Sequence, residues 1–401
     1  MNLLVVSQYY YPEQFRINDI CKEWVKKGHK VTVVTGIPNY PKGKYYEGYG
    51  LKKKRREIKD GVEIIRLPLI PRGKNSLMLI LNYISFVISG FFFSKFTKRE
   101  FDKVFVYEVS PMTQCYVGIW YAKRRNIECN LYVMDLWPES IELATGITNK
   151  TILGIVGKMA DSIYKKCDRI FTSSRSFINA IEKRGHSREK MIFWPQYAEE
   201  FYKPISKEKS DIREIPLDDY FKIVFAGNIG KAQGLEILID VARILKEKKE
   251  KVRFYIIGDG RAKEELEKQV EKCKLNDYIV FIDKKPAVDI PKYYARCDLA
   301  FLSLKKDKIS DQILPAKLQS YLACGIPILG CVGGEAKEII EKSKAGFCTE
   351  NDANKIVCTI EYAMNMNKEK FQKLKNNAIM YFENNYKKEL LIDKMEHYLK
   401  K

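Results

Sequence analysis

The chain has 401 residues, 46% of them hydrophobic, which is too long for one ordinary core and suits two domains of about 200 residues each. Its formal net charge of +20 favours anionic partners such as phosphorylated metabolites, anionic lipid or nucleic acid. Three histidines and ten scattered cysteines, none in a CxxC pair, argue against a structural zinc centre and for free thiols in a reducing compartment. No zinc-finger spacing, RNP-like aromatic motif or basic heptad helix accompanies the charge, so nucleic acid is not expected as a partner.

The opening "MNLLVVSQYYYPE" runs straight into a strand pattern without a charged leader region, so a cytoplasmic protein is expected. "LLVVSQ" reads as a buried parallel strand, "INDICKEWVKKGHK" as a helix stopped at Gly28, and "VTVVTG" as the next strand. That is a βαβ unit. The rhythm continues through "GVEIIRLPL", "FDKVFVYEVSP", "CNLYVMDLWP", "CDRIFTSS" and "EKMIFWPQ", which predicts a parallel α/β domain over 1–200.

The twenty residues from Asn75 to Ser94 carry no charge. Length alone admits a membrane span. The two strands on either side should share one sheet, which a spanning helix would prevent. The expectations left are a half-buried helix, or a helix resting on an anionic membrane surface beside the basic stretches Lys52–Arg56 and Lys95–Arg99.

The polar, proline-broken stretch 201–219 reads as a linker, after which the βα rhythm restarts over 220–385; the closing helix 386–401 is expected to rejoin the first domain. Two such domains facing each other across a cleft bind ligands beyond the carboxyl ends of their strands. Three turns are expected at that edge of the second domain. "FAGNIGKAQG" places Gly227, Asn228, Ile229 and Gly230 between a strand and a helix, "GDGR" repeats the arrangement at Gly258, Asp259 and Gly260, and "LPAKLQSYLACG" puts Lys317 at a third helix start. Glycines let backbone N–H groups approach a phosphate, and helix N-termini favour its charge. Each turn alone is equally an ordinary tight turn; three at one edge point to a nucleotide phosphate site.

These stretches, with "GGEAKEII", resemble the donor half of GT-B glycosyltransferases of family 4, the retaining group. "SQYYYPEQFRINDI", "GHKVTVVTGIPNYPKG", "DLWPES" and "IFWPQYAEE" are similar to its WbuB/WcaI-like branch of surface-polysaccharide enzymes, which includes L-fucosaminyltransferases. The resemblance covers nearly the whole chain. It implies two Rossmann-like domains, a UDP-linked donor sugar (N-acetyl-L-fucosamine is one candidate), a polyprenyl-diphosphate-linked acceptor approached from the first domain, and no metal or other cofactor. Lysine and helix dipoles then stabilise the departing diphosphate.

The departures from the family pattern matter. The two glutamates usual around the third loop are replaced by Gln312 and Ser320, and the usual Arg and Lys of the first loop by Asn228 and Gln233. Lys317 is therefore the expected diphosphate cation, Lys231 a second basic group, and Leu318, Gln319 and Ser320 the rest of the donor set. In the first domain Asp135 and Glu139 bracket "LWP" after a strand. Asp135 is either the group that orients or deprotonates the acceptor hydroxyl or the N-cap of a turn. Tyr11, Glu13 and Arg16 are candidates for acceptor binding, Arg16 toward a phosphate. Competing readings are a UDP-sugar 2-epimerase-like enzyme with the same nucleotide loops, or a catalytically retired membrane-associated binding protein.

Overall fold

The computed structural model describes residues 1–73, 75–141, 148–305, 310–312 and 314–401. The chain divides into two compact units, Met1–Trp194 with Ile392–Lys401, and Pro195–Leu391.

The first unit is built on β1 (Asn2–Val6), β2 (Lys30–Gly36), β3 (Arg56–Lys59), β4 (Val62–Leu67), β5 (Lys103–Glu108), β6 (Cys129–Val133), β7 (Arg169–Thr172) and β8 (Met191–Phe193), in the order β3-β4-β2-β1-β5-β6-β7-β8. All pairings are parallel except β3 with β4. Helices α1 (Arg16–Lys26), α2 (Ser76–Phe96), α3 (Cys115–Arg125), α4 (Lys150–Lys166) and α5 (Arg175–Lys183) connect them. The strands read as unbroken apolar runs because helices cover both faces. Leu3 to Val6 are fully buried, and Trp24 of α1 meets Phe105 of β5 edge to face at 4.9 Å. The chain winds outward in opposite directions from β1 and β5, which makes their carboxyl ends the switch point of this sheet.

Helix α2 lies between two strands, β4 and β5, of one sheet. It is long and apolar enough to cross a membrane by length and composition. Its inner stripe, Asn82, Phe86, Gly90 and Ser94, is buried and packs on α3, where a Cβ on Gly90 would meet Val117. Its outer stripe, Leu77, Ile80, Leu81, Ile84, Ile88, Phe91, Phe92 and Phe96, is exposed. At 3.6 residues per turn these two sets fall on opposite faces.

The second unit holds β9 (Phe221–Asn228), β10 (Val252–Asp259), β11 (Ile279–Ile282), β12 (Leu299–Ser303), β13 (Ile328–Cys331) and β14 (Gly346–Cys348), all parallel, in the order β11-β10-β9-β12-β13-β14. Helices α6 (Ile237–Glu247), α7 (Lys263–Lys272), α8 (Ile290–Ala295), α9 (Ala316–Cys324), α10 (Gly334–Ser343), α11 (Ala353–Met364) and α12 (Lys368–Asn385) flank the sheet. The stretch expected as a linker belongs to this unit. Ile215 is fully buried in its core, Lys207 pairs with Asp298 at 2.8 Å, and Glu214 pairs with Lys285 at 2.8 Å.

The last helix, α13 (Lys388–Lys400), carries its 392–401 portion onto the first unit. Glu396 meets the His29 ring at 2.9 Å and Lys27 at 3.4 Å, and Tyr398 meets Phe171 edge to face. All ten cysteines are free thiols, most of them buried.

Candidate functional site

In the second unit the first two glycine turns are zipped together. The ladder runs on to Gly227 opposite Gly258 and Asn228 opposite Asp259, and the Ile229 N–H donates to Asp259 O at 2.8 Å. Gly258 has φ +147°, and a Cβ there would stand 2.0 Å from Gly227 O; a Cβ on Gly260 would stand 2.3 Å from Ile229 O. Only glycine fits these two positions. The turns form one wall of a pocket of about 470 Å3, with Tyr202, Ile290 and Tyr294 as its apolar side and Lys284 and Lys285 at its rim. Gly227, Asn228, Gly258, Asp259 and Gly260 therefore meet as expected. The Tyr202–Tyr294 pair and the two rim lysines lie too far apart along the chain to be grouped from sequence.

Lys317 stands against Gly227 of this wall, outside the residues that line the pocket. It stands in the first turn of α9, and its Nζ lies 3.5 Å from where a Cβ on Gly227 would be. The ammonium sits 3.9 Å from the centroid of the Phe225 ring and donates to Gln233 Oε1 at 2.5 Å. Among the described residues no carboxylate pairs with it. Burial among apolar neighbours lowers its pKa to about 7, although the side chain keeps some exposure. Gln233, one of the replaced family positions, turns out to be the direct partner of Lys317.

Other expected donor residues do something different. Lys231 is exposed and lines a separate pocket of about 180 Å3 with Glu236, Glu265 and Lys305. Gly230 and Ile229 border that pocket too, and Ile229 is buried in the core. Leu318 is fully buried in the opposite core layer. The Gln319 amide, oriented with its NH2 toward the helix start, donates to Pro315 O and Ala316 O, both at 2.9 Å. Ser320 is buried with its hydroxyl 3.5 Å from Ala316 O. These three side chains serve α9 itself, because residues at one-step spacing on a helix cannot all face one ligand.

In the first unit Asp135 lies just beyond β6, and its Oδ2 accepts from Ser110 N at 2.7 Å and Ser110 Oγ at 2.8 Å. Beneath it lies Glu108, the fully buried last residue of β5, whose Oε2 accepts from Met134 N at 3.3 Å and Asp135 N at 3.4 Å. Burial, then the Asp135 charge, push the Glu108 carboxyl well above its ordinary range. The signal was there in the strand "VFVYEV", a carboxylate inside an apolar run.

The expected acceptor residues divide. Arg16 opens α1, and its charge reaches the hydroxyls of Tyr107 and Tyr132 in β5 and β6. Glu139 keeps a buried carboxylate oxygen, Oε2, and its charge reaches Tyr164. Glu13 is a correction: it is buried, and its Oε1 accepts from Asn39 N at 2.7 Å and Tyr40 N at 2.6 Å, so it braces a turn. Burial raises its pKa to about 7 against those hydrogen bonds. Tyr11 gives its carbonyl to Arg66 at 2.8 Å and its ring to Lys59, toward β3 and β4. The basic stretch Lys52–Arg56 is exposed except at Arg55, whose guanidinium donates to Arg66 O and Leu51 O.

Residues 206–380 match the family model described as glycosyl transferases group 1. The second unit is thus a group 1 glycosyltransferase domain, and the chain is a glycosyltransferase with the two parallel-sheet domains of the GT-B class. Among curated proteins it is similar to the putative colanic acid biosynthesis glycosyl transferase WcaI of Escherichia coli (strain K12), 29% identical over 340 residues, 81% of this chain and 82% of that one. It is also similar to the probable glycosyltransferase WbjE of Pseudomonas aeruginosa, 25% identical over 55% of this chain and 56% of that one. Among solved structures its fold is similar to sucrose-phosphate synthase from Thermosynechococcus elongatus, TM-score 0.75 at 14% identity over 100% and 98% of the chains. HepE of Anabaena in complex with UDP and glucose gives TM-score 0.71 at 16% identity over 99% of each chain.

Proposed function

We propose that this glycosyltransferase moves a sugar, with retention, from a UDP-linked donor to a polyprenyl-diphosphate-linked acceptor during assembly of a surface polysaccharide. The likeness to WcaI, named for colanic acid biosynthesis, supports the pathway class. The HepE complexes with UDP and with UDP-glucose support uridine diphosphate as the carrier, and an N-acetylated deoxy sugar such as L-FucNAc is one candidate cargo.

The observation that carries the reading is Lys317: a cation with no carboxylate partner among the described residues, set against the Gly227 turn beside a pocket of nucleoside size. In the transfer the bond between the sugar's anomeric carbon and the diphosphate oxygen breaks, and the acceptor oxygen bonds to that carbon. The acceptor proton leaves to the departing diphosphate or to Asp135. Lys317 neutralises the charge growing on the diphosphate, so the step needs no metal. The donor lies against the second unit. The acceptor approaches the first, whose exposed α2 stripe and adjoining cations rest on the inner face of an anionic membrane.

The test is incubation of purified protein with radiolabelled UDP-sugars and a bacterial lipid extract, in EDTA. Label passing into the butanol-extractable lipid fraction supports the reading. If no UDP-sugar labels lipid while the same sugars linked to another nucleotide do, the carrier is wrong; if none labels lipid at all, the acceptor class is wrong.

A further inference from the structure

A guanidinium in the first unit stands ready for an anion. Arg72 lies on the loop between β4 and α2 and is half-buried. Its backbone N–H donates to Asn39 Oδ1 at 2.9 Å, and Asn39 is itself buried and held to the Glu13 turn. The guanidinium lies 5.2 Å from the centroid of the Tyr40 ring, and its Nη1 donates to Tyr9 Oη at 3.3 Å. Tyr9 in turn stacks on Phe15 at 5.3 Å and tilts against Tyr40 at 5.5 Å. An aromatic frame thus fixes the cation, and among the described residues no carboxylate pairs with it. An arginine braced by rings and hydroxyls keeps most of its five donors for a planar or tetrahedral anion.

Its surroundings say which anion. Tyr83, on α2, lies within electrostatic reach of Tyr9 and feels the charges of both Arg72 and Asp135. The guanidinium and the candidate acceptor-side carboxylate therefore both act on one tyrosine. Asn82, one residue before Tyr83, holds the inner side of the same helix to Gln8 at 2.8 Å and to Ile70 O at 2.6 Å. Five residues beyond Arg72, at Leu77, the uncovered apolar stripe of α2 begins.

We propose that Arg72, held in place by the buried Tyr9 hydroxyl, binds the phosphate of an isoprenoid-linked acceptor, whose hydrocarbon leaves along the exposed α2 stripe and whose sugar reaches Asp135. This rests on the lipid-linked acceptor reading and adds the group that recognises the lipid phosphate. The cation comes from the β4–α2 loop, where charge pattern alone gave "PRGKN" no distinction from any other basic loop.

The test uses the full chain and farnesyl diphosphate as probe, with inorganic diphosphate and farnesol as comparators, at saturating UDP so that the second unit is occupied. Hydrogen exchange is expected to show protection of residues 9–16 and 69–84 by farnesyl diphosphate. Arg72→Ala should weaken that protection about tenfold or more in apparent Kd, as loss of a charge-assisted contact does, and Arg72→Lys should restore part of it. Ile84→Gln should weaken farnesyl diphosphate but leave inorganic diphosphate unchanged. Equal protection in wild type and Arg72→Ala, equal protection by farnesol, or protection confined to the second unit would each overturn the proposal. Arg72→Ala that still labels lipid at the wild-type rate in the transfer assay would remove Arg72 while leaving the acceptor class standing. Circular dichroism melts of both Arg72 variants separate lost binding from lost folding.

Discussion

Lys317 Nζ donates to Gln233 Oε1 at 2.5 Å, which ties the start of α9 to the first glycine loop. The glutamine holds the ammonium with a neutral dipole. A lysine at 233 would face Lys317 at hydrogen-bond distance, so a neutral acceptor suits this position.

Lys317→Met should separate function from stability. The ammonium is desolvated, with a folded-state pKa of about 7 against 10.5 in the unfolded chain. Between those values the unfolded chain binds more protons, so this group's contribution to stability is present above about pH 10.5 and is lost as pH falls through about 7. The variant lacks that dependence. Its melting temperature should exceed wild type most at pH 6 to 7, by about a few degrees, with the gap closing toward pH 9. Turnover should fall about 100-fold or more. UDP binding near pH 8 should take up a proton in wild type, read by calorimetry in buffers of different ionisation enthalpy, and take up none in Lys317→Met.

Gln233→Glu tests the partner. A carboxylate there pairs with Lys317, restores its charge and neutralises the site. The variant should melt higher than wild type while UDP affinity drops about tenfold, the scale of one charge-assisted contact. Calorimetric titration reads the affinity; an unchanged Kd would mean that the diphosphate lies elsewhere.

Much of the fold was legible because parallel strands covered on both faces read as apolar runs such as "LLVVSQ" and "FKIVFAG", and glycines mark the turns that follow. Lys317 was legible for the same reason: a helix start sits between two such signals. Leu318, Gln319 and Ser320 were not, since adjacency in sequence says nothing about which face of α9 each takes. Glu13, following the first strand, reads as a candidate for acceptor binding, and only the chain returning at Asn39 and Tyr40 buries it. Arg72 and Tyr9 come together through the β4–α2 loop, a pairing of distant residues that no local pattern carries.

The two faces of α2 should respond oppositely to substitution. Ile84 and Ile88 are exposed on the outer stripe, so Ile84→Asp with Ile88→Asp should leave the melt within about 1 kcal/mol of wild type. Flotation with phosphatidylglycerol-containing vesicles should lose the doubly substituted protein, because the apolar contact and the anionic attraction are both opposed. Phe86, fully buried on the inner stripe, should behave in the reverse way: Phe86→Ala costs about 3–5 kcal/mol of stability. Flotation that survives the aspartates would assign the stripe to another partner.

Glu108 gives the opposite pH sign from Lys317. Its Oε1 is buried without a partner, and burial together with the nearby Asp135 charge raises its pKa far above 4.5. The folded chain therefore keeps a proton that the unfolded chain releases, so this contribution to stability is present below about pH 4.5 and is lost as pH rises through the folded value. Glu108→Gln matches the neutral acid in shape and still accepts from Met134 and Asp135. It should equal wild type in melting temperature near pH 5 and exceed it near pH 8, since the amide has no proton to lose. A wild-type curve parallel to that of Glu108→Gln across this range would mean that Glu108 is ionised in the folded protein. The carboxylate beside it, Asp135, would then have to share its turn with a second negative charge.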